Sequence, residues 1–270
     1  MHERERHNII LKAVAERPVA TVGEIVEWTG ASEATVRRDI AALHLEGKLR
    51  RVRGGAEGLE PPLAASRSGA LAGRPFHLNL SVQAAAKRAI ADRAVALCRD
   101  GESIIVNGGT TTYHMVHGLA ERRLGVLTNS FPIAEALVKG GTSTVTLTGG
   151  IVYRDQQIVL SPFEEDAGLR YHARRLFMGA QGVGPSGAME IDPLIARAEQ
   201  RLIRQAEEVV LLVTSDKLRR RAPLIACPLD GVAMLITDSG IRAEERDMLE
   251  AAGVAVETVA VEVAAEEEAA

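Results

Sequence analysis

The chain has 270 residues, 46% of them hydrophobic, and a formal net charge of −4. This length exceeds the needs of one small DNA-binding module, and the mild acidity excludes a protein that coats nucleic acid indiscriminately. No apolar run reaches membrane-spanning length and the charged start MHERERHNII is unlike a signal peptide, so we expect a cytoplasmic protein without an anchor. Cys98 and Cys227 lack a partner pattern and are expected to be reduced residues in or near the core.

A helix-turn-helix is predicted at about residues 20–39. Thr21 with Glu24 three residues later fits a capping box, Gly30 ends the first helix, and Ser32 can cap the second. The second helix has one apolar face and one small, polar, cationic face; the apolar face holds Val36, Ile40 and Leu43, and the other holds Ala34, Thr35, Arg37, Arg38 and Ala41. Such a helix can enter a major groove with its first residues at base edges, which makes Ser32, Thr35, Arg37 and Arg38 candidate DNA contacts.

A basic hairpin is predicted directly after this helix. Its cations, followed by the turn Gly54-Gly55, are Lys48, Arg50, Arg51 and Arg53. They suit a wing that lies along the phosphate backbone and adds affinity with little sequence preference. The alternative is an ordinary solvated basic face, but the order of capped turn and hairpin favours DNA binding.

Residues 4–58 resemble the winged helix-turn-helix of the DeoR family of bacterial transcriptional regulators. The segment SEATVRRDIAALHLEGKLRRVRGGA carries the resemblance. The family usually has His where this chain has Arg53, a change that keeps a donor and adds permanent charge. The resemblance implies operator DNA as a partner.

The predicted domains are residues 1–58 for DNA binding, a linker at 59–80, an effector-sensing domain at 81–255 and an acidic Ala/Glu tail at 256–270. The linker is rich in Pro, Gly, Ala and Ser and lacks periodicity. After it, short apolar strands alternate with helices, which predicts an α/β domain with a mostly parallel sheet. The strands are expected at 103–106, 126–127, 144–147, 176–178, 209–213 and 234–236, and the helices at 84–97, 112–122, 193–206 and 243–252.

Polar loops follow several of these strands. Ligands of such sheets bind outside the carboxyl ends of the strands. The loop after Val106 supplies backbone N–H groups, three hydroxyls and a helix N-terminus, and so predicts an anion site, although glycines also serve ordinary tight turns. The candidate effector-binding residues are Asn107, Gly108, Gly109, Thr110, Thr111, Thr112, Thr128, Asn129, Ser130, Gly149, Gly150, Gln181, Glu199 and Lys217.

Residues 80–240 resemble the sensor domain of the same family, which implies a Rossmann-like, sugar-phosphate-isomerase-like fold and a sugar-phosphate effector. The family's Asp-Ser-Gly-Thr-Thr loop appears here as Asn107-Gly108-Gly109-Thr110-Thr111, and its Asp-Ser-Ser-Lys motif as Thr214-Ser215-Asp216-Lys217. Glu199 matches the family's acidic position; the alternative is a solvated partner of Arg197 or Arg201. The segments RGGAEG, TGGIVYRDQQIVLSP and RAEQRL resemble the branch that includes the repressor of L-ascorbate utilisation, so an acidic sugar phosphate of the L-ascorbate 6-phosphate type is the first ligand to test.

An isomerase and a metal site are the alternatives. The isomerases resembled here carry two acids in a turn that reads Gly179-Ala180-Gln181-Gly182-Val183-Gly184 in this chain, so a positioned base is missing and we expect no enzyme and no catalytic residues. His114 and His117 have a spacing that can chelate, but they stand near no cysteine pair or acidic cluster. We therefore expect neither a metal site nor a cofactor.

These features together predict a DNA-binding transcriptional regulator, more specifically a repressor of a carbohydrate-utilisation operon. We expect a homodimer or homotetramer, because one winged module contacts only a few base pairs. The alternative is a sugar-phosphate isomerase fused to a DNA-binding module.

Overall fold

The computed structural model describes residues 3–16, 19–46, 48–58, 73–161 and 171–261. The chain divides into two compact units, Met1–Ser68 and Gly69–Ala270. None of the described helices is both long and apolar enough to cross a membrane. Cys98 and Cys227 are both free thiols and both buried.

The N-terminal unit contains three helices and a three-stranded antiparallel sheet in the order β1-β3-β2. Its elements are α1 (Glu3–Glu16), β1 (Val19–Thr21), α2 (Val22–Thr29), α3 (Glu33–Leu45), β2 (Leu49–Val52) and β3 (Gly55–Gly58). The helix-turn-helix and the basic hairpin are therefore present in the predicted order. The side chains that pack between the helices include the fully buried Ile10, Ile25, Val36 and Leu43.

The turn between α2 and α3 has the predicted capping chemistry. Thr21 Oγ1 accepts a hydrogen bond from the Glu24 amide, and Glu24 Oε2 accepts one from the Thr21 amide at 2.8 Å. Gly30 ends α2 with φ of 62°, a left-handed conformation that favours glycine. Ser32 then caps α3 by accepting a hydrogen bond from the Thr35 amide. Local chemistry alone therefore sets the angle at which α3 leaves the turn.

The C-terminal unit is built on a seven-stranded parallel sheet in the order β15-β14-β12-β9-β4-β5-β6. Its strands are β4 (Ser103–Val106), β5 (Gly125–Thr128), β6 (Thr144–Leu147), β9 (Ala173–Met178), β12 (Ala206–Leu212), β14 (Met234–Asp238) and β15 (Ala255–Val259). Alternate residues pack on opposite faces: Leu176 and Met178 join one buried cluster, while Phe177 joins the other. The mostly parallel, helix-covered sheet predicted from the sequence is confirmed.

Helices and smaller β elements surround this sheet. The helices are α4 (Phe76–Leu80), α5 (Ala84–Val95), α6 (Thr110–Tyr113), α7 (Val116–Ala120), α8 (Phe131–Gly140), α9 (Pro193–Ile203) and α10 (Ala243–Ala251), with 3-10 turns at Ser215–Arg219 and Leu229–Gly231. A hairpin and a three-stranded antiparallel sheet, neither of them predicted, comprise β7 (Ile151–Tyr153), β8 (Ile158–Leu160), β10 (Gly182–Gly184), β11 (Gly187–Glu190) and β13 (Leu224–Cys227).

One predicted helix is wrong. The segment 112–122 is two short helices, α6 and α7, and the chain between them is tighter than an α-helix. The amides of His114 and Met115 bond to the carbonyls of Thr111 and Thr112, three residues back.

Two predicted boundaries also need correction. The linker 59–80 is too long, because α4 lies within it and Phe76 is buried; residues 59–72 lie outside the described residues. The tail 256–270 starts too early, because residues 256–259 belong to β15, which pairs in parallel with β14. An ion pair between Arg93 and Glu257 fastens this edge strand. Residues 262–270 lie outside the described residues.

Candidate functional site

The four candidate DNA contacts on and before α3 differ in whether their side chains already have a partner. Ser32 Oγ and Thr35 Oγ1 lie 2.9 Å apart and are engaged in the cap. The Arg37 guanidinium donates to Glu33 Oε2 at 3.2 Å. Arg38 is exposed and has no ion-pair partner in the part of the chain that the structure describes. It is therefore the guanidinium best able to reach a base without first breaking a contact.

On the hairpin β2–β3, as on α3, some of the cations are in ion pairs and others are not. Lys48 pairs with Glu46 at 2.7 Å, and Arg50 pairs across the hairpin with Glu57 at 2.8 Å. Arg51 and Arg53 are exposed and pair with no acid among the described residues. Both of them, with Arg37 and His44, line a shallow cleft of about 500 Å³ beside α3. This cleft therefore brings three arginines, from α3 and from the wing, to one concave surface.

Asp39 ties α3 to the first helix. It is the buried acid of α3, 5% exposed, and its carboxylate accepts two hydrogen bonds from Arg6 at 2.8 and 3.2 Å. A bidentate guanidinium–carboxylate pair fixes orientation as well as distance. The contact holds the exposed arginines of α3 at a constant angle to α1.

The loop after β4 is shaped by its own side chains. Thr112 Oγ1 donates to the Asn107 carbonyl at 2.7 Å, and the Gly108 amide donates to Asn129 Oδ1 at 2.7 Å. Gly108 has no room for a side chain, because a Cβ there would lie 2.4 Å from Ile158 Cγ2. Thr112 and Asn129 therefore form the loop, while Gly109, Thr110 and Thr111 line a cavity of about 100 Å³ at the carboxyl ends of the strands.

Two lysines lie at this cavity. Lys87, from α5, is 4% exposed and donates to Thr110 Oγ1 at 2.8 Å and to the Asn79 carbonyl. Burial, and then the neighbouring Lys217, lower the pKa of Lys87 to about 8. Lys217 donates to the Ala180 carbonyl, and its pKa is lowered chiefly by burial and then by Arg220. Each ammonium keeps at least one hydrogen without an acceptor among the described residues.

Two carboxyl groups form another wall of the cavity. Glu199 Oε1 accepts a hydrogen bond from Asn107 Nδ2 at 2.9 Å and Glu199 is 4% exposed, so the alternative of a solvated partner for Arg197 or Arg201 is wrong. Burial, and then Glu190, raise the pKa of Glu199 well above its ordinary value. Burial also raises the pKa of Glu190, whose Oε1 accepts from the Ile191 amide at 2.7 Å.

The cavity gathers only part of the predicted effector site. It contains the loop 107–112 with Gln181, Glu199 and Lys217. Thr128 Oγ1 instead donates to the Val106 carbonyl, and Ser130 caps α8. Gly149 and Asn129 line a neighbouring cavity of about 90 Å³, and Gly150 packs against the backbone of Leu160.

Several cavity residues escaped the sequence analysis. They are the wall residues Arg74, Phe76, Asn79 and Glu190, and the buried Lys87, which contacts Thr110 of the wall, was missed as well. In the sequence, Lys87 cannot be told from the other polar residues of an amphipathic helix. Arg74, Phe76 and Asn79 lie in the segment that was predicted to be a linker. Their proximity to the loop depends on long-range packing that no local pattern encodes.

The two histidines are separated by the break between α6 and α7. His114 follows α6 and is partly buried, and its pKa is lowered by burial and then by Lys87, whereas His117 is exposed on α7. Among the described residues, no three His, Cys, Asp or Glu side chains form a group that could hold a metal ion.

The turn that carries two acids in the related isomerases is well defined here. Gly182–Gly184 forms β10, which pairs with β11, and the Gln181 amide donates to the Met189 carbonyl at 2.9 Å. Only Gln181 of this turn presents a polar side chain to the cavity.

A capped helix-turn-helix with a basic wing, together with a parallel α/β unit that carries a polar cavity, defines the class of ligand-responsive DNA-binding regulators. Two family profiles match the chain: the DeoR-like helix-turn-helix domain over residues 6–61 and the DeoR C terminal sensor domain over residues 82–239. The chain belongs to the DeoR family of helix-turn-helix transcriptional regulators, as the resemblance of both domains predicted.

The sequence match to curated transcriptional regulators extends over almost the whole length of both chains. The HTH-type transcriptional regulators UlaR of Shigella dysenteriae serotype 1 and of Escherichia coli O1:K1 are each 32% identical over 256 residues, covering 95% of this chain and 99% of theirs. Among solved structures, ribose 5-phosphate isomerase A of Methanocaldococcus jannaschii matches at 19% identity with a TM-score of 0.36, over 48% of this chain and 52% of that one. A likeness at that level carries no argument about function.

Proposed function

We propose that this protein is a repressor of a carbohydrate-utilisation operon, released from or held on its operator by a phosphorylated sugar bound in the C-terminal domain. The observation that carries the proposal is the loop 107–112, which lines one cavity together with Lys217 and whose Thr110 side chain accepts a hydrogen bond from the buried Lys87. The protein would act in the cytoplasm, where its DNA is.

A phosphate group suits this loop for reasons of geometry and charge. Thr110 Oγ1 accepts from Lys87, so its own hydroxyl hydrogen is left to donate, and it has no acceptor among the described residues. Amides at the start of a helix add donors and a positive dipole end. Lys87 and Lys217 influence each other electrostatically and each has a lowered pKa, so both would regain proton affinity once a phosphate dianion lies near them.

The rest of the cavity suits a polyol. Glu199, Glu190 and Gln181 offer hydrogen-bonding groups in the same cavity, and Asn107 Oδ1 is buried without a partner in the described part of the chain. A sugar hydroxyl would satisfy that acceptor. An acidic sugar phosphate of the L-ascorbate 6-phosphate type is the first compound to test, because the segments RGGAEG, TGGIVYRDQQIVLSP and RAEQRL resemble the branch that includes the repressor of L-ascorbate utilisation.

Operator binding would use Ser32, Thr35, Arg37 and Arg38 on α3 and Lys48, Arg50, Arg51 and Arg53 on the wing, with two copies of the chain on paired half-sites. A dimer or tetramer is supported by apolar side chains that α8 and β7 leave in solvent: Val138 is 71% exposed, and Ile151 and Val152 are each 51% exposed.

A ligand screen followed by footprinting tests this proposal. Calorimetry with a panel of phosphorylated sugars and their unphosphorylated counterparts should detect binding only for the phosphorylated compounds. DNase footprinting upstream of the chain's own gene and its neighbours should then detect a protected site whose occupancy changes with the ligand. No protected site would count against operator binding; no binding of any phosphorylated compound would remove the effector class alone.

Isomerase activity is the second candidate, because Glu199 and Lys217 occupy one cavity and could exchange protons with a substrate. Each compound that binds should be incubated with the protein and its products analysed by NMR. Turnover that co-purifies with the wild-type protein and disappears in Glu199→Gln would favour the enzyme.

A further inference from the structure

One wall of the effector cavity comes from the chain that arrives from the DNA-binding unit. Of the residues between the wing and α5, those at 73–83 are described, and Arg74, Phe76 and Asn79 among them line the cavity. The remaining walls come from the sheet edge, the β7–β8 hairpin, α9 and the turn that holds Lys217. A ligand in the cavity would therefore be in direct contact with the connecting segment.

The contacts of this segment converge on the phosphate loop. Lys87 Nζ is shared between the Asn79 carbonyl, at the end of α4, and Thr110 Oγ1, and Asn79 Nδ2 also donates to Thr110 Oγ1 at 3.4 Å. An anion that accepts hydrogen bonds from Lys87 and Thr110 would be bound by the same two side chains that contact Asn79 of α4. Lys87 and Thr110 would thus both bind the ligand and hold α4 in place.

Phe76 holds the other end of α4. Its ring is 8% exposed and meets the Tyr113 ring edge-on, with centroids 5.5 Å apart, and its amide donates to the Asp155 carbonyl at 2.7 Å. Tyr113 closes α6, the helix whose first residue is Thr110. A shift of α6 on ligand binding would therefore be passed to Phe76 through an aromatic contact.

Arg74 gives the segment a charge of its own. It is exposed, lies at the cavity mouth, and is close enough to Lys87 to contribute to the lowered pKa of that lysine. Arg74 and Lys217 line the cavity and Lys87 contacts Thr110 of its wall, so these three cations repel each other and together attract a phosphate. Arg74 is the one of the three that belongs to the connecting segment.

We propose that residues 73–80 are the coupling element of this regulator, with Arg74 a direct ligand contact and Phe76 the anchor that transmits occupancy of the cavity to the chain leading to the DNA-binding domain. The inference rests on the proposed function, since it needs an anionic ligand in this cavity. It goes further by naming the residues through which ligand and operator affinities are linked.

The test measures the coupling between the two sites. Operator affinity is measured for the full chain with and without saturating L-ascorbate 6-phosphate, and calorimetry measures binding of the same compound and of inorganic phosphate. In the wild type the ligand should change the operator Kd by at least about fivefold. In Phe76→Ala the ratio should fall to within about twofold of one, while calorimetry still detects the ligand. Ile225→Ala, which removes a 45% exposed apolar side chain on β13 that does not line the cavity, should keep the wild-type ratio.

A second pair of variants tests the inference even if Phe76→Ala does not fold. Arg74→Ala changes an exposed side chain and should weaken binding of L-ascorbate 6-phosphate about tenfold or more, whereas Arg88→Ala, an exposed charge on α5 that does not line the cavity, should change it less than about twofold. A full-sized coupling ratio in Phe76→Ala, or wild-type ligand affinity in Arg74→Ala, would overturn the inference alone. Failure of the wild type to bind either compound would overturn the proposed effector class and the inference with it.

Discussion

Asn107 and Glu199, 92 residues apart in the chain, meet in the effector cavity through a hydrogen bond of 2.9 Å from Asn107 Nδ2 to Glu199 Oε1. Asn107 begins the phosphate loop and Glu199 lies in α9, so the bond ties the two walls of the cavity together. The DeoR family usually has Asp at the position of Asn107, which would place two carboxylates in contact. Here the amide supplies a donor to an acid that is buried and whose pKa is raised.

The first prediction follows from the raised pKa of Glu199. An acid whose pKa is higher in the folded than in the unfolded state binds more protons when folded, so its contribution to stability is present at low pH and is lost as pH rises above about 4.5 through the folded-state pKa. Glu199→Gln should remove this loss. The free energy of unfolding of the wild type should fall relative to the variant between pH 5 and 8, with a slope of at most about 1.4 kcal/mol per pH unit.

Urea unfolding followed by circular dichroism measures this difference. Trp28, the single tryptophan, lies in α2 and reports the N-terminal unit separately by fluorescence. Parallel pH profiles for wild type and Glu199→Gln would mean that Glu199 titrates normally.

The second prediction concerns Lys87. Lys87→Met keeps the length of the side chain but removes the ammonium, so we expect the affinity for L-ascorbate 6-phosphate to fall at least about tenfold, since charge-assisted hydrogen bonds to phosphate are strong. Wild-type affinity should also decline as pH rises through about 8, because the free protein then loses the Lys87 proton that an anionic ligand needs. Calorimetry from pH 6.5 to 9 tests both points.

Lys139→Met is the matched control for that variant. Lys139 is 74% exposed on α8 and pairs only with Glu135 among the described residues. It should bind the ligand as the wild type does. Equal loss of affinity in both lysine variants would indicate a general effect of net charge instead of a contact.

The third prediction separates the two groups of DNA contacts. Arg38→Ala should weaken operator binding by roughly 1 to 3 kcal/mol and reduce the preference for operator over unrelated DNA, as expected for a base contact. Arg51→Ala and Arg53→Ala should weaken binding to all sequences and lower the slope of log K against log salt by about one unit. Fluorescence anisotropy at several salt concentrations distinguishes the two patterns.

Arg50→Ala serves as the internal comparison. Arg50 already pairs with Glu57, so its contact with phosphate would first have to break that pair, and its effect on the salt slope should be smaller than that of Arg51→Ala. Identical effects for all three wing variants would mean that the hairpin pairs are lost on DNA.

How far the sequence anticipates the structure depends on the range of the interactions involved. Thr21, Gly30 and Ser32 specify their turn through contacts within four residues, so the helix-turn-helix could be predicted element by element. The loop 107–112 between β4 and α6 was also expected from the sequence, because glycines separate a buried strand from a helix there, and its role in binding phosphate stays a prediction. The antiparallel strands β10, β11 and β13 were missed because each is short, and pairing between β11 and β13 spans more than thirty residues.

The effector cavity was predictable only in part. Lys217 and Gln181 follow strands and were found by that rule, whereas Lys87 approaches the loop from a helix and Arg74 from an apparent linker. Conversely, Thr128 and Ser130 lie at the end of a strand, but their hydroxyl groups are hydrogen-bonded to backbone atoms. A strand-end position indicates proximity to the site, and the hydrogen bonds of the side chain decide whether it faces the ligand.

The central claim is that a phosphorylated ligand in the loop 107–112 controls operator binding, and Gly109→Asp tests it most directly. A Cβ at Gly109 would meet only Thr112 Oγ1, at 3.2 Å, so the variant should fold, while its carboxylate should repel a phosphate. The measurement is the operator Kd of wild type and variant with and without L-ascorbate 6-phosphate. We predict equal affinities without ligand, a change of at least about fivefold in the wild type on adding it, and none in the variant. A variant that responds to the ligand as the wild type does would contradict the assignment of this loop as the effector site.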